Sequence, residues 1–217
     1  HSDLRRQRQM CIRDRLAAKK NKIQIALVLG GGNIYRGREL TSLNIDQVSA
    51  DYIGMLSTIM NGIALSNFLS SNNCENSLFS SFAIGNFVKA YSKEEAEKSL
   101  VEDKIVILVG GLGNPLFTTD STASVRAVEL NSDVMLKATN VDGVYSDDPK
   151  VNKEAIKYEH LSFDEAITKN LKVMDQTSLC FCRDNNLSVR VFNADAEGAI
   201  LEAIINENTD IGTLVEL

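Results

Sequence analysis

The sequence has few of the residues from which metal sites and hydrolytic centres are built. Of its two histidines only His160 is internal, and its four cysteines, Cys11, Cys74, Cys180 and Cys182, lack the paired spacing of metal ligands. One internal imidazole does not assemble into a serine, histidine and acid constellation, so triad hydrolysis is unsupported. The same scarcity argues against a zinc site and a disulfide framework, and no residue is assigned to hold a metal. No uninterrupted apolar run approaches the length of a bilayer span, so no membrane association is expected. Basic charge is also short: 23 Lys and Arg against 29 Asp and Glu give a net charge of -6, which repels a nucleic-acid backbone unless the basic residues cluster. Neither a Walker A loop nor a GxGxxG dinucleotide fingerprint is present. These exclusions leave a soluble protein of a reducing, cytoplasmic compartment, with nucleic acid an unlikely partner.

What is present is enough apolar material for a core. The chain has 217 residues, 44% hydrophobic and 24% charged, and fits one α/β domain at the upper end of the usual size range. Residues 1–21 read differently from the rest: HSDLRRQRQMCIRDRLAAKK, from His1 to Lys20, is densely basic with almost no apolar periodicity. It lacks the apolar core of a secretory signal and reads as a foreign leader, disordered or artefactual, with a nucleic-acid arm as the alternative. Residues 22–217 are expected to form a single domain.

Along that domain, strand and helix patterns alternate. Lys22 to Leu29 (KIQIALVL) predicts a buried strand running into Gly30-Gly31-Gly32-Asn33. Between Asp46 and Ser71 apolar residues recur at helical spacing, and Leu56, Met60 and Leu65 widen the apolar face until the helix reads as covered on two sides. A loop from Ser70, a short strand around Leu78 to Ile84, and a helix capped by Ser92 follow. KIVILV, from Lys104 to Val109, predicts a second buried strand ending in glycines, with a helix starting near Asp120. Further strands are expected at Asp133 to Lys137, Ser188 to Phe192 and Gly212 to Leu217, with helices at Ser162 to Lys169, Asp175 to Asn186 and EGAILEAII. This is the pattern of a three-layer, doubly wound, mainly parallel sheet, whose ligands bind outside the strand C-termini.

Three loops could carry chemistry. Gly30 to Asn33 can present several backbone N-H groups beside a helix start, which makes a phosphate cradle or a plain tight turn. Arg36, one helical turn beyond Asn33, could close over a phosphate or join a surface salt bridge. Gly113-Asn114-Pro115-Leu116-Phe117-Thr118-Thr119-Asp120 brings a rigid proline, two hydroxyls and a carboxylate into one short loop, with Asp120 also placed to cap the next helix. The loop from Ala138 to Pro149 (ATNVDGVYSDDP) crowds turn formers, an aromatic and carboxylates after a strand, which suits a nucleoside, a metal-bound phosphate or an acidic surface turn. Cys180 and Cys182 read as core cysteines, and His160 as a strand end or surface turn.

The ordered set IALVLGGGNIYRG, SADYIGMLSTIMNGIAL, GNPLFTTDSTASVRAVEL, LKATNVDGVYSDDPK, LKVMDQTSLCFCRDNNLSVRVFN and GTLV resembles the bacterial uridylate (UMP) kinases of the amino acid kinase superfamily, from about Lys22 to the C-terminus. The resemblance implies transfer of the γ-phosphate of ATP to UMP, giving UDP for pyrimidine nucleotide synthesis, with Mg²⁺ accompanying ATP. It also implies a cytoplasmic homohexamer with GTP and UTP as effectors. By motif, Gly31, Asp51 and Leu112 to Thr119 (Leu112, Gly113, Asn114, Pro115, Leu116, Phe117, Thr118, Thr119) correspond to the UMP site, with Asp51 on the ribose. Gly32 and Arg36 fall on the ATP phosphates, and Thr139, Asn140, Tyr145 and Asp148 on the ATP base and ribose. Asp120 and Arg36 are the catalytic candidates, Asp120 organising cationic groups or Mg²⁺ around the transferring group. Family members open with a K-x-S-G-E strand and phosphate loop, which residues 1–21 do not match. The expectation is an N-terminally incomplete kinase; the alternatives are a catalytically impaired nucleotide-binding regulator and a superfamily kinase with another acceptor.

Overall fold

The computed structural model describes residues 23–35, 44–149, 151–196, 198–206 and 210–217. They divide into two compact units with the boundary between Thr122 and Ala123. The leader of residues 1–21 and Arg36 lie outside the described residues.

The first unit is built on an all-parallel sheet. Its strands are β1 (Ala26–Val28), β2 (Asn76–Ser80), β3 (Lys89–Ala90) and β4 (Ile105–Val109), in the order β1-β4-β2-β3. β4 is buried at every position, as its run of Ile, Val and Leu requires of a central parallel strand. Helix α1 (Gln47–Ser71) packs against β2 and β4, and α2 (Lys93–Val101) packs against the same two strands. Ile59, Leu65, Leu69, Ile105, Ile107 and Val109 form the core between α1 and the sheet. Both helices start where the sequence predicts: the Asp46 carboxylate accepts from Ser49 N, and the Ser92 hydroxyl from Glu95 N.

α1 has the length and composition of a bilayer-crossing helix. In this fold it is the core helix of the first unit. Its buried face carries Ser57, Thr58 and Asn61 among the apolar residues. The expected second cover is not supplied among the described residues, for Val48, Tyr52, Leu56 and Met60 are exposed.

In the second unit β5 (Val134–Thr139) pairs parallel with β7 (Ser188–Asn193), β7 antiparallel with β8 (Thr213–Glu216), and β8 parallel with β6 (His160–Ser162). Helix α3 (Thr119–Glu129) crosses the unit boundary, and α4 (Phe163–Thr168), α5 (Gln176–Asp184) and α6 (Ala199–Ile205) follow. Val189, Val191 and Val215 lie in a core with Phe163, Leu179 and Cys182, whereas Phe192 packs with Ala199 and Ala203 of α6. The mixed, mainly parallel α/β class is the expected one. The described strands form two four-stranded ladders where sequence periodicity predicts one sheet; a strand's apolar pattern reports burial and is blind to which strand it pairs with. Cys182 is buried as expected, Cys180 only partly, and His160 begins β6 as an exposed residue near Glu216.

α1 approaches the sheet closely at Gly62. A Cβ there would stand 2.5 Å from Val109 Cγ1 and 2.9 Å from Leu78 Cδ1. Gly62→Ala is therefore expected to destabilise the protein by about 1–3 kcal/mol, as overpacked cores do, read as a lower urea midpoint at unchanged m-value.

Candidate functional site

β1 and β4 are parallel neighbours, so their C-terminal loops emerge at the same edge of the sheet. One is Gly30 to Asn33 and the other begins at Gly110. A Cβ on Gly30 would lie 3.9 Å from Thr119 Oγ1, which places the first loop beside the end of the second. The Gly31 carbonyl accepts from Ile34 N at 3.0 Å and Tyr35 N at 3.1 Å. Gly31 has no room for a side chain: its Cβ would meet Gly54 O at 2.6 Å and Ser57 Cβ at 2.8 Å.

α1 connects these loops. Asp51 Oδ2 accepts from Leu116 N at 2.8 Å, across 65 positions of sequence, and Oδ1 accepts from Gln47 Nε2 at 2.7 Å. Thr58 Oγ1 accepts from Gly110 N at 2.7 Å. Asn61 Nδ2 donates to Gly30 O at 2.8 Å and to Asn33 Oδ1 at 2.7 Å. Ser81, after β2, donates to Gly111 O. The first unit thus brings together Gly31, Asp51 and the loop Leu112 to Thr119, which the sequence predicts on the acceptor side, with Gly32, predicted as an ATP-phosphate residue, on the same Gly30 to Asn33 loop. Leu116 and Phe117 are exposed at the loop tip, and Leu116 holds a left-handed backbone (φ +70°).

Asp120 occupies the first turn of α3, half-buried, but it is not the cap. The helix starts two residues earlier than a cap at Asp120 implies, and the Thr118 hydroxyl accepts from Ser121 N at 3.1 Å. The Asp120 carboxylate stands instead at the second helical position, where the helix dipole favours negative charge.

The second unit holds Thr139, Asn140, Tyr145 and Asp148 on the segment that leaves β5. Thr139 Oγ1 donates to Val141 O at 2.9 Å and accepts from Val141 N at 3.0 Å, which closes the turn around Asn140. The Tyr145 hydroxyl donates to both Asp142 oxygens, at 2.9 and 3.1 Å, and this bond raises the phenol pKa above its ordinary value. Asp147 accepts from Asp148 N and Asn152 Nδ2, bonds that hold its carboxyl below the usual range. The Asp148 carbonyl takes the Val151 and Asn152 amides. Among the described residues no group of three His, Cys, Asp or Glu side chains could hold a metal ion.

A model of the amino acid kinase family matches residues 9–193. The chain belongs to that family. The match takes in residues 9–21 of the stretch read as a leader. The chain is 45% identical to a uridylate kinase of Alcanivorax borkumensis over 194 residues, 89% of this chain and 76% of that protein. Against a uridylate kinase of Coxiella burnetii it is 46% identical over 89% of this chain and 79% of that one. The crystal structure of UMP kinase from Bacillus anthracis superposes with a TM-score of 0.92 at 36% identity, covering 100% of this chain and 87% of that one. UMP kinase from Ureaplasma parvum gives 0.86 at 40% identity, covering 94% and 88%.

Sequence reasoning missed Thr58, Asn61 and Asp142. The first two show in the sequence as polar residues at core-facing positions of an apolar helix. Asp142 lies three residues before Tyr145 in the loop already singled out. The Tyr145 phenol is predicted to titrate above an ordinary tyrosine, because the bond to Asp142 favours the protonated form. The stabilisation linked to this shift is complete below the unfolded-state pKa and is lost as pH rises through the folded value. Asp142→Asn should lower the phenolate onset, measured by ultraviolet absorbance against pH.

Proposed function

We propose that this chain is a UMP kinase, which transfers the γ-phosphoryl group of MgATP to UMP to give ADP and UDP. The observation that carries the reading is the convergence of Asp51 and the Gly30 to Asn33 loop on the Leu112 to Thr119 loop. It joins 45–46% identity to two uridylate kinases. Exposed glycine-loop amides and hydroxyls suit a phosphate, and the Asp51 carboxylate suits a ribose hydroxyl. The acceptor oxygen of UMP is already anionic at neutral pH, so no general base is required. Catalysis then reduces to alignment and charge neutralisation. Asp120 serves by orienting cationic groups or the Mg²⁺ carried on ATP. Thr139, Asn140, Tyr145 and Asp148 receive the adenine and ribose, and Gly32 with Arg36 the phosphates. Residues 22–217 carry the kinase domain, and the reaction belongs to pyrimidine nucleotide supply in the cytoplasm.

The test is a coupled ADP-release assay over a panel of acceptors. UMP is expected to be the phosphorylated acceptor, and Asp120→Asn to lower kcat by about 10²-fold. Phosphorylation of carbamate or acetylglutamate in place of UMP would overturn the acceptor assignment, and UMP binding without turnover would leave a nucleotide-binding regulator.

The assembly implied by the same likeness is a homohexamer responsive to GTP and UTP. Support comes from α1, where Val48, Tyr52, Leu56 and Met60 repeat every four residues and are 40–60% exposed. Such a stripe suits a second copy of the chain. Leu56→Lys is expected to shift the mass in light scattering to a smaller species; an unchanged mass would remove α1 from the interface.

A further inference from the structure

Two buried polar side chains on α1 have hydrogen-bonding capacity directed at the glycine loops. Thr58 and Asn61 are each 6% exposed and stand three residues apart, hence on one helix face. The Thr58 hydroxyl donates to Met55 O within its own helix at 2.7 Å, which turns a lone pair toward the Gly110 N-H. Gly110 has a left-handed backbone (φ +77°), and a Cβ on it would lie 2.7 Å from Ser80 Oγ. The loop is therefore confined by β2 on one side and by Thr58 on the other. Asn61 uses both Nδ2 protons, one on Gly30 O and one on Asn33 Oδ1, and its Oδ1 accepts from Asn33 Nδ2 at 3.1 Å. The close contact of α1 with the sheet at Gly62 and with the loop at Gly31 leaves these bonds no slack.

We infer that Thr58 and Asn61 are positioning residues for the acceptor site, fixing the β1 and β4 loops in mutual register without touching substrate. The inference rests on the UMP kinase reading and adds two residues to it. Its physical content is that the loop amides must be aimed before the acceptor arrives. A loop freed at Gly110 or Gly30 has to be ordered at the time of binding. The consequence is selective at Gly110, where a freed loop weakens acceptor binding while the nucleoside loop of the second unit keeps its own bonds from Thr139, Thr213 and Asp142. Asn61 holds the loop that also carries Gly32, so freeing that loop loosens the ATP phosphates as well.

The experiment compares Thr58→Val, Thr58→Ser and Asn61→Ala with the unmodified chain, by steady-state kinetics in both substrates and by peptide-level hydrogen exchange. Thr58→Val keeps the side-chain shape but strands the Gly110 N-H. KM for UMP is expected to rise about tenfold with KM for ATP within about twofold, as a lost buried hydrogen bond implies. Thr58→Ser, which keeps the acceptor oxygen, should restore KM. Asn61→Ala should raise KM for both UMP and ATP and speed exchange in peptides spanning 30–35, with the β4 peptide still protected. Equal rises in both KM values for Thr58→Val, or a Thr58→Ser variant as impaired as Thr58→Val, would reduce the pair to general stability and overturn the inference. Unmoved KM values in variants of a chain that makes UDP would sink the inference alone. Absence of UMP turnover in the unmodified chain would sink the functional reading and this inference together.

Discussion

The seating of α1 on the first sheet is the constraint from which the acceptor side follows. At Gly62 the helix lies against Val109 and Leu78 with no room for a methyl group, and at Gly31 a loop lies against the helix with equally little. Apolar contacts alone would hold such a helix but specify its rotation and translation loosely. Asp51, Thr58 and Asn61 add directional bonds to Leu116 N, Gly110 N and Gly30 O, which are satisfied in one register only. The same helix thus serves as core and as template for the loops, and its buried polar residues are functional in that sense.

On the proposed reading the two units hold different parts of the chemistry, each supported locally. In the first, backbone amides and hydroxyls gather at the ends of parallel strands, the usual place for phosphate in a parallel sheet. In the second, the loop after β5 is tied down by its own side chains: Thr139 closes the first turn, Tyr145 binds Asp142, and Thr213 of β8 accepts from Val144 N at 2.8 Å. Helix α3 is continuous across the boundary. Its first turn carries Asp120 and the Thr118 cap, and Ala123, Ala127 and Val128 contribute to the core of the second unit. Asp120, proposed to act on the transferring phosphoryl group, is thereby set on a helix.

Much of this was legible in the residues. The strand KIVILV, the capping residues Asp46, Ser92 and Asp175, and the glycines at strand ends are local signals, and each produced its element within a residue or two. Asp120 shows the limit of such signals. Thr118, Thr119 and Asp120 are all competent caps, and the helix start depends on how the preceding loop leaves β4. The exposed stripe of Tyr52, Leu56 and Met60 reads in sequence like further core, since periodicity measures apolarity and not what covers it.

By itself the sequence determined the α/β class, the positions of nearly all elements and the family, because hydrophobic period, caps and ordered motifs are properties of neighbouring residues. Only the tertiary structure decided that the described strands form two ladders, that Thr118 rather than Asp120 caps α3, and that Thr58 and Asn61 hold the two glycine loops. Each of these depends on contacts between segments dozens of residues apart or on the path of a loop. Free energy there is set by close packing and paired hydrogen bonds that a linear pattern does not encode.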